Sequence, residues 1–164
     1  MNAPQGIKQI HMAEIYPLIR QTLSDGGSFR LTITGTSMFP TLLGGRDRVT
    51  LIQPPTQLKK YDLPLYLRRD GSFILHRIVA TAADGSYICC GDHQWILEQG
   101  IRHAQIIGVV SEIERKGKQF SADDRRYCRW VRFWVRVLPL RRLIFRIYGI
   151  LGRVKRVFHR KKKV

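Results

Sequence analysis

The chain has 164 residues, 44% of them apolar, and a formal charge of +17. That length suits one domain with an appendage, and its core is large enough to stand without disulfides or a metal. Residues 1–114 hold 11 Lys/Arg against 10 Asp/Glu and residues 115–164 hold 18 against 2, which excludes the evenly basic surface of a general nucleic-acid binder.

Residues 1–27 carry polar and charged groups throughout, so no signal peptide is expected there. No run reaches eighteen apolar residues, so no simple membrane span is expected either. Ile7, Ile10, Ile15, Leu18, Ile19 and Leu23 recur at helical spacing and predict a helix over 7–24. Pro17 is expected to kink or split it, and Asp25-Gly26-Gly27 to end it.

From Phe29 the pattern becomes that of strands: 29–34, 48–52, 63–67, 73–80, 87–90 and 106–113. Asp70-Gly71, with both residues expected in the left-handed region, joins two of them, and Asp84-Gly85 marks another turn. Short strands at this spacing predict a mainly β domain with a curled, barrel-like sheet. Cys89 and Cys90, adjacent on one strand, point to opposite faces and are expected to stay unbridged with Cys128. They read as buried or free thiols of a reducing compartment. No zinc-type spacing is present, and no metal or cofactor is expected.

After Gly117 the composition shifts. Arg125, Arg129, Arg132 and Arg136 alternate with Tyr127, Trp130, Val131, Trp134 and Leu138, an amphipathic helix with an arginine face over 122–137. Pro139 breaks it, 140–158 resumes the pattern, and Arg160-Lys161-Lys162-Lys163 follows. The expected division is an N-terminal helix (1–28), a β domain (29–118) and a basic helical tail (119–164). Arginines interleaved with large aromatics suit an anionic lipid surface, so residues 122–163 are expected to contact a membrane peripherally. A helix pair packed on the β domain is the plainer alternative. The aromatic and aliphatic content favours lipid over nucleic acid.

Three segments carry possible chemistry. In Gly35-Thr36-Ser37-Met38-Phe39-Pro40-Thr41 a serine follows a strand behind a glycine, a placement that presents its hydroxyl and turns its own N–H toward a developing oxyanion. By itself such a serine is more often a turn residue or helix cap than a nucleophile. In Leu75-His76-Arg77-Ile78-Val79 the histidine lies mid-strand on the face of Ile74 and Ile78; it is either a satisfied core residue or the general base that a serine hydroxyl requires. Arg77, on the opposite face, is expected to pack its stem and make an ion pair. In Cys90-Gly91-Asp92-His93, with Glu98 beyond, a carboxylate either orients the histidine or closes a turn. Lys59 and Lys60 read as solvated turn residues, without the dry site a catalytic lysine needs.

Ser37-Met38-Phe39-Pro40, Asp62-Leu63-Pro64-Leu65-Tyr66, Leu75-His76-Arg77-Ile78-Val79, Gly91-Asp92 and Ile107-Gly108-Val109-Val110 resemble, in order and spacing, the motif boxes of signal-peptidase and LexA-type serine peptidases. The resemblance covers about residues 29–113. It implies a β-rich fold with Ser37 as nucleophile and, since His76 stands where many members have lysine, the histidine-base branch of the endoplasmic-reticulum and archaeal enzymes. In that branch a carboxylate after the Gly-Asp box completes the site; by position this is Glu98, with Asp92 the other candidate, although the branch usually has Asp. Gly35 departs from the serine common two residues before the nucleophile, so a hydroxyl contribution falls to Thr36 or Thr34 or is absent, leaving the Ser37 N–H, while Gly35, Thr36, Met38 and Pro40 shape the oxyanion and substrate-binding side. The implied substrate is an extended signal or leader peptide with small residues near the scissile bond. A self-cleaving LexA-like regulator expects a preceding DNA-binding module and a lysine base; a binding module without catalysis is the third reading. The cytoplasmic face of a membrane is the expected place of work.

Overall fold

The computed structural model describes residues 12–146. The predicted helical residues 7–11 and 147–158 and the basic terminus lie outside them.

Helix α1 (Met12–Ser24) continues through Pro17 as one element, so the proline does not split it. It ends at Asp25-Gly26-Gly27 as expected: Gly27 N–H donates to the Thr22 carbonyl and Gly26 N–H to that of Leu23, with Gly26 at φ 76°. This pair of bonds satisfies carbonyls that the last turn leaves open.

Among the described residues nine strands follow: β1 (Phe29–Thr32), β2 (Arg48–Ile52), β3 (Pro64–Leu67), β4 (Phe73–Leu75), β5 (Arg77–Thr81), β6 (Tyr87–Cys90), β7 (Glu98–Ile101), β8 (Ile106–Arg115) and β9 (Lys118–Ser121). Helix α2 (Arg125–Arg136) comes next, then a 3-10 turn at Leu138–Leu140 and a helical stretch over 141–146. The fold is mainly β, with antiparallel strands in a curled half-barrel. The first sheet has the order β1-β2-β8-β3-β4 with β9 also on β8; β5-β6-β7 form a second. Strands β7 and β9 were not foreseen, because neither Glu98-Gln99-Gly100-Ile101 nor Lys118-Gln119-Phe120-Ser121 shows a strong apolar alternation. The predicted strand over 73–80 divides at His76, where the chain passes from the first sheet to the second.

The Asp70-Gly71 turn also differs in detail. Gly71 adopts φ 84° but Asp70 is not in the left-handed region. Gly71 N–H donates to the Arg68 carbonyl and Arg68 N–H to that of Ser72, a turn with its glycine in a bulge position. Asp70 instead accepts from Ser72 N–H.

Two cores meet at β8. Ile107, Val110 and Ile113 pack with Ile19, Leu23, Met38, Val49, Leu51 and Leu65 under α1. Val109 joins Tyr66, Ile78, Tyr87, Cys89 and Ile101 between the sheets. Gly108 lets α1 approach, since a Cβ there would stand 2.8 Å from a Leu23 methyl. The three cysteines are free thiols.

Strand β9 runs on past residue 118, and α2 packs on the β domain through Tyr127, Val131 and Trp134. Asp124 caps α2 by accepting from the N–H groups of Arg126 and Tyr127, each such cap contributing about 1 kcal/mol.

Candidate functional site

Ser37 sits on a turn after β1. Phe39 N–H donates to the Thr36 carbonyl and Leu42 N–H to that of Met38. The turn is held from three sides. Met38 is buried in the α1 core, worth roughly 2 kcal/mol for a side chain of its size. Ile33 exchanges backbone bonds with Gly45 and Asp47. Gly35, at φ 74°, presses its carbonyl so closely on Gly44 that a side chain there would overlap it. The buried Asp47 carboxylate accepts from Leu43 N–H and from Arg46. Thr34 and Thr36 are exposed, and Ser37 is half-buried. Among the described residues the Ser37 N–H makes no hydrogen bond, which leaves it available as an oxyanion donor.

A further restraint on Ser37 is the Gly-Asp box. The Ser37 carbonyl accepts from His93 N–H at 2.7 Å. It also lies where a Gly91 Cβ would stand, 2.7 Å away, so glycine is required for this approach. Arg77 pairs with Cys90 across β5 and β6, so His76, one step earlier, comes level with Gly91. The Ser37 turn and His76 thus flank one short loop.

His76 is 4% exposed. Its Nδ1 lies 3.4 Å from the Tyr66 hydroxyl, which itself donates to Glu98 Oε2 at 2.7 Å. Glu98 Oε2 stands 3.8 Å from Nδ1. Since the Tyr66 proton is committed to Glu98, Nδ1 carries its own proton toward the tyrosine oxygen, and Nε2 is the acceptor. Among the described residues neither Nε2 nor Ser37 Oγ has a hydrogen-bond partner. No hydrogen bond joins the Ser37 hydroxyl to the His76 ring among the described residues.

Arg68 clamps Glu98 with two bonds, Nε at 2.6 Å and Nη2 at 2.5 Å. Burial pushes the Glu98 carboxyl up, but the Arg68 and Tyr66 hydrogen bonds outweigh it and hold the group below its ordinary range. Burial holds His76 down to about 4, with Glu98 opposing and Arg68 assisting. The imidazole is therefore neutral at physiological pH, the form that accepts a proton.

Of the two carboxylates named from the sequence, Glu98 is the one beside His76. Asp92 is fully buried and engaged by Arg77, Nε at 3.1 Å and Nη2 at 2.8 Å, with Arg141 at 3.8 Å. It is held in a buried ion pair, as was expected for Arg77. Lys59 and Lys60 are exposed, as expected. Pro40 is half-buried and its carbonyl accepts from Arg115.

Four participants were not foreseen. Tyr66 falls within a recognised box, and its place opposite Ile74 on β4 was available from alternation. Arg68, Trp134 and Arg141 carried no signal among so many basic and aromatic residues. A cleft of about 610 Å³, lined by Arg68, Asp70, His93, Trp95, Leu97 and Glu98, opens beside the site; neither Ser37 nor His76 lines it. Among the described residues no three His, Cys, Asp or Glu side chains converge as a metal ion would require. No family model, curated protein or solved structure matches the chain.

Proposed function

We propose that this chain is a serine endopeptidase that cleaves a signal or leader peptide at a membrane surface, with Ser37 as nucleophile and His76 as base. The observation that carries this reading is the convergence of the Ser37 turn and His76 on the Gly91–His93 loop, with Nδ1 turned toward Tyr66–Glu98 and Nε2 left open. His76 Nε2 takes the hydroxyl proton as Oγ attacks the peptide carbonyl. The imidazolium then gives that proton to the leaving amine, and an acyl-enzyme remains. Water, deprotonated by the same nitrogen, releases the acid and restores Ser37. Glu98, through Tyr66, holds the ring in the Nδ1–H tautomer, as a triad's third member does. The chemistry requires Oγ to come within about 3 Å of Nε2 in the substrate complex.

Labelling with a fluorophosphonate tests the reading. Wild type is expected to acylate, and Ser37→Ala and His76→Ala to lose labelling by at least about a thousandfold. Undiminished labelling of Ser37→Ala sinks the assignment.

The membrane reading is supported by exposed Trp95, Ile96 and Leu97 on the loop beside the cleft, and by Trp130, Phe133, Leu140 and Leu143 among the arginines of the C-terminal segment. Among the described residues no helix is long and apolar enough to cross a membrane. Because Trp134 and Arg141 belong to the packed molecule, substitution is a cleaner test than truncation. Phe133→Glu with Leu140→Glu is expected to abolish flotation with phosphatidylglycerol vesicles; flotation equal to wild type refutes the anchor.

A further inference from the structure

We infer that the C-terminal helical segment is a working part of the Ser37 site, with Arg141 as the positioning residue that fixes the loop on which Ser37 rests. Three carbonyls of the Gly91–Gln94 loop accept hydrogen bonds from this segment. Arg141 Nη1 donates to the carbonyls of Gly91 at 3.0 Å and Gln94 at 3.2 Å. Trp134 Nε1 donates to that of Asp92 at 2.9 Å. Arg141 is itself fixed, its Nη2 donating to the Trp134 carbonyl at 3.0 Å and its guanidinium lying 5.1 Å from the Trp134 ring centroid. The side chain is fully buried, and burial lowers its pKa while Asp92 opposes this. A cation placed so deeply is tolerated only where carbonyls and a carboxylate surround it, so the loop and Arg141 are ordered together.

The far side of the same loop holds Ser37. His93 N–H donates to the Ser37 carbonyl, and Gly91 abuts it. A second contact runs through rings. His93 lies 5.4 Å from Phe39, two residues after Ser37, and 4.2 Å from Phe145 of the C-terminal segment. The loop therefore has one face against the nucleophile's backbone and the other against a segment some fifty residues later in the chain. Loss of the Arg141 bonds leaves the Gly91 and Gln94 carbonyls without their strong donor. The loop then opens to water, and Ser37 loses the partner of its carbonyl.

The coupling stands on these contacts alone; its consequence for catalysis rests on the peptidase reading. The test uses the full-length chain with Arg141→Met, Arg141→Lys, and Arg142→Met as the exposed neighbour. Arg141→Met is expected to speed amide exchange at His93 by at least about tenfold, the loss of one charge-assisted bond, while amides of β2 and β8 keep native rates. Fluorophosphonate acylation of Ser37 should slow in parallel, Arg141→Lys should recover part of both, and Arg142→Met should change neither. Unchanged exchange at His93 overturns the inference. Equal acceleration across β2, β8 and His93 overturns it too, because Arg141 then serves only overall stability. If Arg141→Met does not fold, Trp134→Phe removes the donor to Asp92 and narrows the ring beneath Arg141, and the same exchange pattern decides. Absent acylation of the wild type would refute the peptidase reading and leave the exchange result to judge the coupling.

Discussion

Asp92→Asn separates a structural carboxylate from a catalytic one. Arg77 and Asp92 are 1% and 0% exposed, and Arg141, also at 0%, approaches the same carboxylate. Removing the negative charge leaves two buried guanidiniums facing a neutral amide. Breaking one buried pair costs about 3–5 kcal/mol, a large share of a typical stability of about 5–15 kcal/mol. For a domain of this size that lowers Tm by roughly 10–15 °C. Urea unfolding followed by tryptophan fluorescence, which Trp134 beside Asp92 should report, measures it. The double change Arg77→Met with Asp92→Leu removes one charge of each sign, and should recover much of the loss, though Arg141 keeps it short of wild type. A singly substituted Asp92→Asn that keeps the wild-type midpoint yet loses acylation would falsify this account and make Asp92 a catalytic group.

His76 gives a pH signature. Its folded value of about 4 lies below the ordinary 6.5, so the unfolded chain takes up the proton first. The associated stability is complete above pH 6.5 and is lost as pH falls toward 4, about 3 kcal/mol in all. Urea midpoints at pH 7 and pH 4.5 should diverge less in His76→Gln than in wild type; equal divergence refutes the assignment. Arg68→Gln releases Glu98 from its clamp and removes a neighbouring cation, so the His76 pKa should rise, read from its ring proton shifts; a fall would contradict the described geometry. Gly91→Ala drives a Cβ against the Ser37 carbonyl and is expected to cost about 1–3 kcal/mol and to slow Ser37 acylation, whereas a variant with wild-type midpoint and rate would show that the close approach is dispensable.

Local sequence determined much of this molecule. The glycines at 26, 71 and 85 fixed where elements end, because each adopts a left-handed backbone. Apolar runs bounded by turn residues placed β1, β2, β3, β6 and β8 to within two residues, although burial keeps period two only in β1 and β2. Ser37, His76 and Glu98 were legible as candidates for another reason: the order and spacing of the boxes that resemble a peptidase family, since local pattern alone reads each as a turn or core residue. What remained hidden depended on contacts between distant segments. Asp92 and Glu98 are equivalent carboxylates on paper, and only the sheet crossing at His76 sends one toward Arg77 and the other toward Tyr66. Arg141 is one arginine among many in the sequence. It became a buried partner of Gly91 and Gln94 because α2 turns its Tyr127–Val131–Trp134 stripe onto the β domain and carries the next turn over the Gly-Asp loop. Charge and periodicity describe a face; which face meets which loop is settled only by packing.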